Sequence, residues 1–180
     1  MKIDEMIEGL LEREGAYSDN VNDPGGVTMW GWTEKAARQE GWVGRMRDMP
    51  REWAAAAYRR VYVQRPGFDK VMAVNSRIAE ELVDTAVNCG VGLPGPWLQR
   101  CLNLLNRQGN DYADVAVDGL IGPATCAALS AFLKKRGVDG EKVLLRLLNG
   151  LQAYRYVQVA EANPRLEEFF YGWILNRVEV

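Results

Sequence analysis

The chain has 180 residues, 48% hydrophobic and 26% charged, with a net charge of −2 and no histidine. That length buries a full core as one domain or as two small lobes, and the composition is that of an ordinary soluble globular protein. The missing imidazole excludes histidine-based triads and strips a zinc site of its usual ligand, while the negative balance argues against a nucleic-acid partner. Three widely spaced cysteines, Cys89, Cys101 and Cys126, read as reduced packing residues rather than a disulfide framework, with Cys89 the most exposed.

Ile3, Met6, Ile7, Leu10 and Leu11 recur at helical spacing and predict an amphipathic helix over residues 2–14. Glu14 falls on the same face as this apolar stripe, at the C-terminal end, with Gly15 placed to stop the helix. A carboxyl held against apolar neighbours resists ionising, and the negative end of the helix dipole pushes the same way. Such a group serves as a general acid near neutral pH; a carboxylate that merely reaches solvent from the helix end is the plainer alternative.

Nine residues later Asp23 opens the tight turn Asp23-Pro24-Gly25-Gly26, followed by Thr28, Gly31 and Thr33. Val27 to Trp32 reads as a short strand or hairpin arm. A helix-end acid, a turn bearing a second carboxylate and a strand bearing a hydroxyl form a cleft wall of the kind glycoside hydrolysis requires.

Further along, Thr33 caps a helix ending at Glu40, and Gly41 to Met49 reads as a loop. Pro50 takes the first position of a helix with Asp48 as its cap. That helix carries Trp53, Ala54, Ala57, Tyr58 and Val61 on one face. Arg51, Arg59, Arg60 and Arg65 on the other read as a solvated face rather than a surface for an anionic polymer. Arg65-Pro66-Gly67 ends it and begins a linker to Asn75.

A second lobe starts with Ser76 as the N-cap of a helix containing Ile78, Leu82, Val83, Ala86 and Val87. Helical pattern resumes at Trp97-Leu98-Gln99 with Leu102 and Asn103. Asp118-Gly119 is a turn, Gly122-Pro123 opens a helix reaching Gly137, and a long helix from Gly140 to Asn163 buries Val143, Leu144, Leu147, Leu148, Leu151, Tyr154 and Val157. Pro164 closes it, and a final helical segment carries Phe169, Phe170, Trp173 and Ile174. The fold class is mostly α: a lysozyme-like two-lobed helical domain with one small β element near the Asp23 turn, divided into residues 1–75 and 76–180.

The run Glu14-Gly15, Tyr17, Asp23-Pro24-Gly25-Gly26, Thr28, Gly31 and Thr33 resembles the N-terminal signature of the glycoside hydrolase 108 family, N-acetylmuramidases found mostly as phage endolysins. Ala16 and Trp32 stand where the signature has glycine and isoleucine. Asp84 to Asn88 with Gly90, then Trp97-Leu98-Gln99 with Leu102 and Asn103, Val117-Asp118-Gly119 and Gly172-Trp173 with Arg177 are similar to the peptidoglycan-binding region that accompanies that family.

The resemblance implies hydrolysis of the β-1,4 bond between N-acetylmuramic acid and N-acetylglucosamine in peptidoglycan. Glu14 acts as acid, and Asp23, with Thr28, stabilises the transition state or activates water; Asp19 is the second choice for Asp23's role. Tyr17, Trp32, Asn88 and Trp97 are the candidate substrate contacts, and no metal or cofactor is required. It further implies a monomer, made in the host cytoplasm without a signal peptide, that reaches periplasmic wall after a holin permeabilises the membrane. The competing reading is a non-catalytic peptidoglycan-binding or structural phage protein on the same scaffold.

Overall fold

The computed structural model describes residues 2–14, 17–18 and 27–178, with backbone alone at Lys2, Arg13 and Glu14. The side chain of Glu14, and all of Asp19 and Asp23, therefore lie outside the described residues. The architecture is mostly helical with one two-stranded sheet. Internal contacts gather the chain into two compact units, Met1–Val61 and Tyr62–Val180. The border expected at residue 75 falls between the fourth and fifth helices.

In the first unit, α1 (Lys2–Glu14) buries Ile3, Ile7 and Leu11, spaced four apart as one face of a helix demands. That face packs on α3 (Arg51–Arg59), which buries Ala54, Ala57 and Tyr58. Two ion pairs tie the same helices together, Asp4 to Arg59 at 2.6 Å and Glu8 to Arg51. Arg60 lies over the Trp53 ring at 5.8 Å. So Arg51 and Arg59, expected to face only water, instead clasp α1. The three buried α1 side chains contribute on the order of 1.5–3 kcal/mol each, against less than about 1 kcal/mol for an exposed ion pair; packing sets the helix pair and the charges trim it.

Between them run β1 (Thr28–Met29), β2 (Trp32–Thr33) and α2 (Glu34–Gln39). Thr33 caps α2 as expected, its Oγ1 accepting the Ala36 N–H at 3.2 Å. Pro50 sits one place earlier than the sequence suggested, preceding the first turn of α3, and Asp48 pairs with Arg45 at 2.6 Å instead of capping that helix.

A π-helical turn (Arg60–Gln64) continues the end of α3, and the border between the units falls within it. The segment expected to be a linker contains a helix, α4 (Phe68–Met72), with Phe68 and Val71 fully buried. Gly67 starts it with φ of 83°, and a Cβ there would stand 2.6 Å from the Ile121 carbonyl oxygen, so both backbone and space demand glycine. Next come α5 (Ser76–Cys89), capped by Asn75 rather than Ser76, and α6 (Pro94–Leu105). α7 (Pro123–Ala162) is broken at Gly137, where φ is 60°, and α8 (Glu167–Arg177) follows.

The core lies where α5 meets α4, α6 and α7, with Ile78, Leu82, Leu98, Leu102, Leu129, Phe132, Leu144 and Leu148 buried. The buried line of the later part of α7 is Gly140, Leu144, Leu148, Gln152, Tyr156 and Ala160, strictly four apart. Val143, Leu147 and Tyr154, expected inside, point outward, Tyr154 with 60% of its surface exposed.

Candidate functional site

In the first unit, chemistry-bearing positions converge on the hairpin. β1 and β2 are antiparallel, with Thr28 opposite Thr33 and Met29 opposite Trp32. The two linking residues, Trp30 and Gly31, both have positive φ, 53° and 77°, the geometry of a tight two-residue hairpin turn. Glycine adopts it freely; tryptophan pays for it in strain. Two hydrogen bonds hold Trp30 there: its indole N–H donates to the Met49 carbonyl at 3.0 Å, and its own carbonyl accepts from the Tyr58 hydroxyl at 3.2 Å.

Thr28 is fixed from its other side as well. Its N–H donates to the Ser18 carbonyl at 2.9 Å, and the Ser18 N–H donates back to the Thr28 carbonyl at 3.0 Å. Glu14 ends α1 four residues before Ser18, so the covalent chain keeps its Cα within roughly 14 Å of that pair. By position Glu14 continues the line of Ile7 and Leu11, seven and three residues behind it. The helix end expected to carry the acid is thus joined by a short tether to the strand carrying Thr28.

Tyr17, half-buried beside Ser18, has the Arg47 guanidinium over its ring at 5.4 Å. Trp32 is only 6% exposed. Its ring is packed on Tyr58 at 4.9 Å and Trp53 at 6.2 Å, and its buried indole N–H finds no acceptor among the described residues. In this arrangement the Trp32 ring is part of the packing beneath the hairpin. Trp30, with its strained backbone, carried no signal in the sequence except its place before Gly31.

In the second unit, the motif residues are bound up in the frame. Gln99, fully buried, donates from its amide to Asp118 Oδ1 at 2.9 Å and to the Leu120 carbonyl at 3.2 Å, and accepts the Gly119 N–H at 2.8 Å. Asn103 both donates to and accepts from the Val115 backbone, at 2.8 and 2.9 Å. These two amides pair with loop 115–120 as a neighbouring strand would. The same contacts hold the Asp118 carboxyl below its ordinary range: first the Leu120 N–H, then Gln99, stabilise its charge.

Asp84, Asn88, Gln152 and Arg177 form a second network. Gln152 donates to Asp84 at 2.9 Å, Arg177 lies 3.6 Å from Asp84, and Asn88 accepts from Arg177 while donating to the Asp84 carbonyl at 2.8 Å. Asn88 also lines a cavity of about 370 Å³ together with Cys89, Arg155, Tyr156, Trp173 and Arg177. Trp97 is half-buried at the start of α6. Thr28 is thus paired with the neighbour of Tyr17 in the first unit, while in the second Asn88 lines the cavity and Trp97 is not among its lining residues.

Residues 7–90 match the family described as glycosyl hydrolase 108, and residues 94–178 match the family described as predicted peptidoglycan domain. The chain is also similar to the solved structure of Brucella abortus SagA. The TM-score is 0.60 at 21% identity, over 94% of this chain and 85% of that one, a likeness that shows the mostly α, lysozyme-like fold. No curated protein matches. The two matches follow one another along almost the whole length, so residues 7–90 carry a glycosyl hydrolase 108 region and residues 94–178 a predicted peptidoglycan domain behind it.

Proposed function

We propose that this peptidoglycan-hydrolysing glycosidase is an N-acetylmuramidase that cuts the β-1,4 bond between N-acetylmuramic acid and N-acetylglucosamine. Glu14, protonated, donates its proton to the glycosidic oxygen. The bond opens through an oxocarbenium-like state that Asp23 stabilises, or Asp23 and Thr28 together hold the attacking water. The observation that carries this reading is the joining of two elements: α1 ends at Glu14 on the line of its buried face, and four residues on the chain is locked backbone-to-backbone against Thr28. Tyr17 lies within that short connection and supports it.

The same reading extends to biology as an endolysin: a monomer that acts on periplasmic wall once a holin has opened the membrane. Among the described residues no helix is long and apolar enough to cross a membrane itself.

The test is wall clearing followed by mass spectrometry of the released fragments. Wild type should clear a wall suspension and leave reducing-end N-acetylmuramic acid, while Glu14→Gln should lose at least about 100-fold, the usual worth of a positioned acid. Equal clearing by both proteins would remove Glu14 from the mechanism. Anhydro-muramic ends would replace hydrolysis with transglycosylation, and no clearing by wild type would favour a wall-binding protein without catalysis.

A further inference from the structure

The cavity beside Asn88 lies wholly within the second unit and has a chemistry of its own. Its volume of about 370 Å³ is that of a small-molecule site. One wall is aromatic, formed by Trp173 and Tyr156 with their rings 5.4 Å apart. The opposite character comes from Arg155 and Arg177, which also line it. Arg177 is partly neutralised by Asp84 at 3.6 Å and engaged by Asn88.

Arg155 is different. Its Nε is buried without any acceptor, and among the described residues its guanidinium forms no ion pair. A buried N–H donor without an acceptor is an unmet demand, and on a guanidinium it favours an anionic one. Burial pushes the Cys89 thiol above its ordinary value, so this neighbour is neutral at pH 7 and supplies neither a nucleophile nor a counter-ion.

We propose that this cavity receives a carboxylate of the peptidoglycan stem, with Arg155 as its principal partner, Arg177 and Asn88 alongside, and Trp173 against the adjoining apolar surface. The assignment rests on the wall-binding reading of the second unit and gives it a ligand class. Arginine suits the task because its planar fork meets both carboxylate oxygens at once. Peptidoglycan offers such groups on its stem peptides and, where the peptide has been removed, on the lactyl ether of muramic acid.

Isothermal titration of the full chain decides it. The probes are a disaccharide–tripeptide muropeptide, the same muropeptide with its carboxyls amidated, the free tripeptide, and the peptide-free disaccharide. The muropeptide should bind, and amidation should weaken binding at least tenfold. Arg155→Gln should weaken it by a similar factor, and Arg155→Lys should recover part of the loss. Binding of the tripeptide supports a stem carboxylate; binding of the disaccharide with no binding of the tripeptide overturns that source. Equal binding of the amidated muropeptide overturns the proposal, as does wild-type affinity in a folded Arg155→Gln. Should that variant fail to fold, the amidation arm on wild type decides alone. Release of reducing ends by wild type from peptide-free glycan, measured separately, reports on the hydrolase reading, so either can fail while the other stands.

Discussion

The two units hold their shape by different means. The first relies on aromatic packing under a short hairpin, where Trp32, Trp53, Tyr58 and Trp42 touch ring to ring, with Asp4–Arg59 and Glu8–Arg51 across the helix pair. The second is threaded with amides and carboxylates: Gln99 and Asn103 against loop 115–120, Gln152 and Asp84 against Arg177. The contrast teaches how to read a family motif. In the second unit Gln99, Asn103, Asp118 and Asp84 are spent on architecture, because a loop without its own strand partner borrows side-chain amides to satisfy its backbone. In the first unit most of the frame comes from residues outside the motif, Trp42, Trp53 and Tyr58 among them, and Thr28 is held by its backbone exchange with Ser18.

Three measurements press on that contrast. The largest effect is expected at Gln99. Gln99→Leu keeps the volume but strands the Gly119 N–H and the Leu120 carbonyl, and should cost about 2–4 kcal/mol in denaturant unfolding. A loss below 1 kcal/mol would mean that the amide frame is incidental.

Acid comes next. The Asp111 side chain is 2% exposed and is held to a pKa of about 2 by its hydrogen bond to Arg107, with Lys135 and Arg136 close by. Because its folded pKa lies below the ordinary 3.8, its contribution is complete above pH 3.8 and is lost as pH falls towards 2. Asp111→Asn should therefore lower the melting temperature at pH 7, and the gap to wild type should close between pH 4 and 2. A gap that stays constant over that range would detach this carboxylate from stability.

The smallest effect belongs to the clasp in the first unit. Arg59→Ala removes an ion pair whose partners are both about half exposed, and should cost less than about 1 kcal/mol, shrinking further in high salt. A larger, salt-independent loss would make the first unit's charges as structural as the second unit's amides.

Much of the frame is legible in the sequence where local chemistry decides the outcome. Thr33 caps α2, Pro123 opens α7, Gly137 breaks it and Pro164 follows its end, each by a rule of backbone geometry. Legibility fails where tertiary contact overrides pattern. The short stretch of α4 carries too few residues for periodicity, yet Phe68 and Val71 bury it. In α7 the apolar pattern pointed to Val143, Leu147 and Tyr154, whereas the buried line runs through Gly140 and Gln152, whose amide nitrogen is bonded to Asp84 and Tyr156. Of the candidate site, Thr28 is paired by the structure with the neighbour of Tyr17. Glu14 is singled out by helical spacing and Asp23 by the turn it opens, and the signature supplies their expected roles.

The exchange of hydrogen bonds between Ser18 and Thr28 uses main-chain atoms only, and this separates what evolution can alter from what it must keep. Neither position tolerates proline, since each donates its amide, but almost any other side chain leaves the exchange intact. Between Thr28 and Thr33 even a single inserted residue would turn Trp32 from the packed side to the open one.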